Sequence, residues 1–182
     1  MSCKTLFLFP TEAEAASFRC LRPDATVAII GVGMAEAAAV TVTHILEHHP
    51  ERVVLCGIAG ACDERVGVGQ VVEVIHDRVE GLPEAYAEEY VADRLTGLDA
   101  VRSFTVNRTG DALRNEAIVA SDMPVVEQME GAAVAAAVIA LGVEDYCHLR
   151  AISNRVGEPF EQWHLGEAVA ALGAVAAQLF VE

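Results

Sequence analysis

Residues Arg52 to Ala61 read RVVLCGIAGA, an apolar run rich in β-branched residues that ends in closely spaced glycines. The segment Thr26–Ile30 (TVAII) has the same character and runs into Gly31-Val32-Gly33. Strands that are apolar at every position are typical of sheets covered by helices on both faces. These two stretches therefore predict buried strands at the centre of an α/β domain.

Helical and strand patterns alternate along the rest of the chain, which predicts one α/β domain over residues 1–182, with helices on both faces of a mainly parallel or mixed sheet. Residues 77–100 are polar and poorly periodic, and we predict loop and short helix there. Helices are predicted at Glu12–Cys20, Ala35–His48, Gly131–Gly142 and Leu165–Val181. Further strands are predicted at Lys4–Phe9, Gln70–Ile75, Val101–Asn107, Ala117–Ala120 and Tyr146–Ile152.

The composition excludes several classes of protein. The chain has 182 residues, of which 53% are apolar and 21% are charged, as in a globular protein. Its formal net charge of −15 repels phosphate backbones, so we expect no nucleic-acid partner. No apolar run reaches the roughly 20 residues of a membrane span, and the N-terminal run is too short for a signal peptide. Five cysteines without C-x-x-C spacing indicate reduced thiols, so we expect a cytoplasmic location and no membrane attachment.

Ligands of α/β sheets bind at the carboxyl ends of the strands. The Gly57–Ala61 turn either presents backbone N–H and C=O groups to a ligand or serves only close packing. Glu130 precedes the alanine-rich helix, where a carboxylate either complements the helix dipole or accepts the hydroxyls of a ribose. The residues that follow the predicted strands are Thr11, Glu12, Glu14, Gly31, Gly33, Gly57–Ala61, Ser153 and Asn154.

Two other motifs favour less specific interpretations. Gly31-x-Gly33-x-x-Glu36 stands where a dinucleotide fingerprint would, but Glu36 replaces the third glycine and would repel a pyrophosphate. An NAD-dependent oxidoreductase is therefore a weak alternative. His44 and His48 are one helical turn apart, without an evident third ligand, so we expect no metal site.

Four segments together resemble the purine nucleoside phosphorylase / methylthioadenosine–adenosylhomocysteine nucleosidase superfamily, over nearly the whole chain. They are TEAE (Thr11–Glu14), G-x-A-G (Gly57–Gly60), MEGAA (Met129–Ala133) and RAISN (Arg150–Asn154). Within the superfamily the sequence is most similar to futalosine hydrolases, through GIAGA, VEQMEGAA and LRAISNRVGEPFEQW. The resemblance implies a three-layer α/β/α sandwich around a mixed, largely parallel sheet. It also implies hydrolysis of the N-glycosidic bond of a purine nucleoside, with futalosine of menaquinone biosynthesis as the expected substrate and hypoxanthine and dehypoxanthine futalosine as products.

The resemblance also implies roles for single residues, without any cofactor or metal. Glu14 would be the catalytic base that activates water, and the neighbouring Glu12 is the alternative. Glu130 would hold the ribose hydroxyls, Met129 would pack on the sugar, and Asn154 would act on the purine. The remaining expected substrate-binding residues are Gly57, Ile58, Ala59, Gly60 and Ser153, with Phe104 or Leu113 stacking on the base.

These residue types fit hydrolysis of a 6-oxopurine nucleoside. Bond cleavage builds positive charge on the sugar, and a nearby carboxylate stabilises that charge. Phosphorylases of the family carry an arginine just before the glycine turn, where this chain has Leu55, so we expect water and not phosphate as the nucleophile. Asn154 stands where adenine-specific members have Asp, and its NH₂ can donate to the ring nitrogen 7 and the exocyclic oxygen of a 6-oxopurine.

The chain departs from the family by being shortened between about His76 and Phe104, a region that commonly contributes to the pocket cover and to subunit contacts. Two alternatives therefore stay open: a methylthioadenosine/adenosylhomocysteine nucleosidase, and a non-catalytic nucleoside-binding domain. The expected partners are a small-molecule purine nucleoside and, because small-residue helices pack closely, a second copy in a homodimer or larger homo-oligomer.

Overall fold

The computed structural model describes residues 3–115 and 117–181. Helices and strands alternate in it much as the sequence predicts. The strands are β1 (Thr5–Phe9), β2 (Thr26–Ile29), β3 (Arg52–Ala61), β4 (Val71–Val79), β5 (Glu89–Val91), β6 (Ala100–Thr105), β7 (Val125–Gln128) and β8 (Asp145–Arg155). The helices are α1 (Glu12–Leu21), α2 (Met34–His48), α3 (Ala117–Ala120), α4 (Gly131–Leu141) and α5 (Leu165–Gln178).

The sheet is mixed. Strand β1 lies parallel between β2 and β3, and β3 also pairs in parallel with β8 along its whole length. Strand β8 then pairs antiparallel with β4. Strand β4 continues in parallel to β6, β6 to β7, and β7 returns antiparallel to the end of β3 at Gly60 and Ala61. Strands β3, β8, β4, β6 and β7 therefore form a closed ring, with β1 and β2 extending from it.

Alternating side chains on the central strands build the three layers. Leu6 and Leu8 of β1 point to the side of α2 and α4, and pack with Ile45 and Val134 from those helices. Phe7 and Phe9 point to the opposite side, into a core cluster shared with Phe18 of α1 and Leu172 of α5. Because successive strand residues face opposite ways, one apolar strand supplies both cores. The predicted α/β fold with helices on both faces of a mixed sheet is confirmed.

Three local predictions are wrong, and strand β7 was not predicted. The predicted Gly57–Ala61 turn is the second half of β3, which continues to Ala61. Residues 117–120 (AIVA) form the short helix α3 instead of a strand, since four apolar residues carry no period that separates the two. Residues 77–100, predicted without a strand, contain β5, which pairs antiparallel with β4 between His76 and Val91. Strand β5 has three residues (EYV), too few to show the alternation typical of a strand, and its pairing with β4 defines it.

Candidate active site

A cavity of about 560 Å³ opens at the carboxyl ends of β1, β3, β7 and β8, where the sequence places its candidate residues. This volume lies in the range of small-molecule sites in proteins. The cavity brings together most of the predicted set: Glu14, Ile58, Ala59, Gly60, Met129, Glu130, Ser153 and Asn154.

Glu14 is buried in the first turn of α1. Thr11, the N-cap of that helix, donates its hydroxyl to Glu14 Oε2 at 2.7 Å, and the Ile58 amide donates to Oε1 at 3.0 Å. Burial raises the pKa of this carboxyl above its ordinary value, while the bonds from Thr11 and Ile58 and the charge of Arg150 oppose the rise. Glu14 is thus a carboxylate held in place by two donors and made more basic by desolvation.

Glu130 is buried at the N-terminus of α4 and faces the same cavity. Its Oε1 accepts the Gly33 amide at 3.1 Å, across 97 residues of sequence, so the predicted glycine turn after β2 holds a carboxylate. Gly33 has φ of +92°, a backbone conformation that favours glycine. The other oxygen of Glu130, Oε2, accepts two hydrogen bonds from Arg150, each of 3.2 Å.

Arg150, in the middle of β8, connects the two carboxylates. Its Nη1 also donates to the carbonyl of Ile58 at 3.1 Å, and Ile58 of β3 is the residue whose amide binds Glu14. A β-carbon at Gly57 would overlap Arg150 Nη1 and lie 3.2 Å from Glu14 Oε1, so the guanidinium and the Glu14 carboxylate approach one point. Among the cavity-lining residues within 3–115 and 117–181, Arg150 is the one positively charged side chain.

The amide of Asn154 has a fixed orientation. Its Oδ1 accepts the Ser153 hydroxyl at 2.8 Å, and its Nδ2 donates one proton to the Arg155 carbonyl at 2.9 Å. An amide nitrogen carries two protons, so one remains for a ligand. Gly60 keeps this place open, because a β-carbon there would lie 3.2 Å from Asn154 Nδ2 and 2.9 Å from a methyl of Val156.

The rest of the cavity is largely apolar. Val106 lies on one side of it, and Leu165 and Val169 belong to its lining at the start of α5. Phe160 and Trp163 pack with ring centres 5.1 Å apart and ring planes tilted by 53°, and the Trp163 indole donates to the Glu158 carbonyl at 3.1 Å. The loop between β8 and α5 therefore covers the cavity with aromatic rings.

Three predicted substrate-binding residues do not line this cavity. Glu12 points to solvent and pairs with Arg19 at 2.9 Å, since two residues along a helix place it on a different face from Glu14. Phe104 is fully buried in a core cluster with Val106 and Val125, because its side of β6 faces that cluster. Gly57 is not part of the cavity lining, and the Arg150 guanidinium lies where a β-carbon on Gly57 would be.

Several cavity residues were not among the sequence-based candidates. Arg150 carried a signal, because an arginine inside the apolar strand YCHLRAI needs a buried partner. Trp163 was expected only to pack, and Val32, Val106 and Phe160 carry no signal that separates them from other apolar residues.

A second group of side chains lies on α2, away from this cavity. His44 and His48 stack with ring centres 5.7 Å apart, and Glu47 joins them within 4.8 Å, supplying the third donor that the sequence analysis missed. Glu47 Oε2 lies 3.7 Å from His44 Nδ1 and 3.9 Å from His48 Nε2. Separately, the helices of the described residues include none long and apolar enough to cross a membrane.

Comparisons with solved structures identify the fold. The chain aligns with a Helicobacter pylori MTAN-D198N mutant holding 5'-methylthioadenosine in its active site, at 17% identity, with a TM-score of 0.81 and 98% of each chain covered. Futalosine hydrolase of Helicobacter pylori strain 26695 aligns at 16% identity, with a TM-score of 0.82 and 95% of each chain covered. Arabidopsis thaliana 5'-methylthioadenosine nucleosidase aligns at 19% identity, with a TM-score of 0.80, covering 98% of this chain and 95% of that one. No protein-family model and no curated protein sequence matches. The fold expected from the resemblance is thereby confirmed.

Proposed function

We propose that this chain, which has the fold of the nucleosidases, hydrolyses the N-glycosidic bond of a purine nucleoside. The observation that carries the proposal is the convergence of Glu14 and Glu130, 116 residues apart, on one guanidinium at the edge of one cavity. A pair of buried carboxylates in a nucleoside-sized cavity supplies both charge stabilisation and a base. The solved structures of the same fold include nucleosidases and a futalosine hydrolase.

Glu130 serves the sugar. Its carboxylate, fixed by Gly33 and Arg150, accepts the vicinal ribose hydroxyls and faces the positive charge that develops on the ring as the bond to the purine breaks. That charge is larger in the transition state than in the bound substrate, so the interaction raises the rate. Met129, the preceding residue, lines the cavity beside it and packs on the sugar.

Glu14 serves the nucleophile. Its carboxylate takes a proton from water as the water oxygen bonds to the anomeric carbon, and the electrons of the breaking C–N bond pass to the purine. The purine then takes a proton from solvent water, and Glu14 returns its proton to solvent. Desolvation raises the pKa of Glu14 and so strengthens it as a base. We assign this role to Glu14 and not to Glu12 because Glu12 points to solvent.

Water is the nucleophile because the cavity offers no free cation to phosphate. Each N–H of Arg150, its one lining cation among the described residues, already has a protein acceptor. Four carboxylates, of Glu14, Glu127, Glu130 and Glu158, belong to the same lining and repel an anion.

The base that fits Asn154 is a 6-oxopurine, because the remaining Nδ2 proton can donate to its exocyclic oxygen, an acceptor that adenine lacks. Futalosine, with its hypoxanthine base, is therefore the first candidate substrate. The apolar lining by Phe160, Trp163, Leu165 and Val169 favours a second candidate, 5'-methylthioadenosine, whose methylthio group suits an uncharged surface.

A panel of nucleosides tests the proposal. Inosine, futalosine, adenosine and 5'-methylthioadenosine are incubated with the protein, with and without inorganic phosphate, and the released base and sugar are identified by mass spectrometry. We expect a free base and a free sugar, no dependence on phosphate, and faster release from the 6-oxopurine nucleosides. A sugar 1-phosphate product would contradict hydrolysis, and binding without release of a base would support the non-catalytic alternative.

A further inference from the structure

A buried polar cluster lies behind Glu130, beyond the residues that meet the substrate. It consists of Asp77 on β4, Thr105 on β6, Gln128 on β7 and His148 on β8, all on the closed ring of strands. The amide nitrogen of Gln128 donates to Asp77 Oδ2 at 3.0 Å and to Thr105 Oγ1 at 2.6 Å. Burying four such groups costs free energy unless they are hydrogen-bonded, so their partners are specific.

The hydrogen bonds of Arg150 show what the cluster holds. A guanidinium has five N–H groups and no acceptor. Four of them reach Glu130 twice, the Ile58 carbonyl and Gln128 Oε1. The fifth, Nε–H, donates to His148 Nε2 at 2.7 Å.

The protonation state of His148 follows from that bond. Because arginine is always protonated, His148 Nε2 must be the acceptor, and the ring proton is on Nδ1. That nitrogen lies 3.9 Å from Asp77 Oδ2, which is a near contact but is longer than a hydrogen bond. Burial, and secondly the charge of Arg150, lower the pKa of His148 well below its ordinary value and keep the ring neutral.

The same pair also packs against the backbone next to Glu130. A β-carbon on Gly131, the first residue of α4, would overlap Asp77 Oδ2 and a ring carbon of His148 and would lie 2.7 Å from Gln128 Nε2. Gln128 Oε1 accepts the amides of Glu130 at 2.8 Å and Gly131 at 2.7 Å. The cluster therefore constrains Glu130 from its main chain as well as from its carboxylate.

We propose that His148 is a positioning residue that fixes the Arg150 guanidinium and, through it, the Glu130 carboxylate. The inference rests on the proposed hydrolysis for its kinetic consequence. Without an acceptor at Nε, the guanidinium can rotate away from Glu130, which then meets the sugar less accurately. Misplacing a catalytic group by about 1 Å costs up to ~100-fold in rate.

Three variants separate positioning from general packing. His148→Leu removes the acceptor, His148→Gln restores an oxygen at the Nε2 position, and Tyr146→Phe is the matched control. Tyr146 packs 6.2 Å from the His148 ring, and its hydroxyl has no hydrogen-bond partner among the residues described.

We expect kcat to fall by about 10- to 100-fold in His148→Leu, with KM changed less than about threefold. In His148→Gln, kcat should stay within about fivefold of the wild type, and Tyr146→Phe should match it. Equal losses in His148→Leu and His148→Gln, or a full kcat in His148→Leu, would overturn the proposal.

A measurement without catalysis keeps the two proposals distinct. Long-range ¹⁵N–¹H NMR of the histidine rings in the wild-type protein should show His148 neutral, with its proton on Nδ1, and a slowly exchanging Arg150 Nε–H. A charged ring, or a proton on Nε2, would overturn the positioning role even if the enzyme is active. Failure of the wild type to release any base would contradict the hydrolase function alone, while the NMR result still decides the role of the pair.

Discussion

Replacing Glu130 by glutamine probes the charge on which hydrolysis depends. The carboxylate accepts three hydrogen bonds, two from Arg150 and one from Gly33. A glutamine offers one oxygen, so if that oxygen meets Arg150, its NH₂ meets the Gly33 N–H, donor against donor. The variant therefore loses a negative charge and leaves one buried donor unpaired, in a place that is 3% exposed in the wild type.

The expected effect of Glu130→Gln on activity follows from the lost charge. Removing one preorganised group that stabilises transition-state charge costs about 10²–10³-fold in kcat, or roughly 3–4 kcal/mol. Because the glutamine oxygen still accepts a ribose hydroxyl, we place the minimum loss at about tenfold. The Arg150 charge is left without its counter-ion, so we also expect the free energy of unfolding to fall by about 2–3 kcal/mol.

The assay for Glu130→Gln is continuous hypoxanthine release from inosine or futalosine, coupled to xanthine oxidase, at a temperature where thermal melting shows each variant folded. Glu12→Gln is the matched control, since Glu12 is an exposed carboxylate whose neighbour is Arg19. It should retain wild-type kcat and stability. Wild-type turnover in Glu130→Gln would refute the role of Glu130 and with it the hydrolytic mechanism.

Three further changes test other parts of the site. Asn154→Asp replaces a donor by an acceptor, so the ratio of kcat/KM on inosine to that on adenosine should fall at least about tenfold, and an unchanged ratio would remove the base assignment. Glu14 must be ionised to act as a base, so activity is lost as the pH falls through its raised pKa. Thr11→Val removes a hydrogen bond to the ionised form, so the acid limb of the profile of kcat/KM against pH should move to higher pH. An unmoved acid limb would contradict Glu14 as the base. Gly131→Ala should lower the free energy of unfolding by about 1–3 kcal/mol in urea denaturation, while Gly166→Ala, whose β-carbon meets open space, should not, and equal effects would contradict the packing described.

The three-layer fold of this protein could be predicted from the sequence because it depends on local patterns of apolar residues. Continuous apolar strands such as KTLFLF and RVVLC supply side chains to both faces, and glycines stand where strands end. The choice of Glu14 over Glu12 as the base could also be predicted from the sequence, because a helical projection places Glu14 beside Ala15 and Phe18, which are buried, and away from Glu12.

Pairing across the chain was decided only by tertiary structure. The amide that holds Glu130 belongs to Gly33, 97 residues away, and the guanidinium that holds it belongs to another strand. The sequence analysis predicted Phe104 or Leu113 at the purine, yet Phe104 is buried in a core cluster and Leu113 does not line the cavity. Periodicity reports which face of a strand is apolar, but it does not report which strand lies beside it or which cavity that face meets. The sequence by itself therefore determined the order of helices and strands and the types of side chain at the strand ends. Closure of the ring of strands, which depends on long-range pairing, determined which of those side chains come into contact.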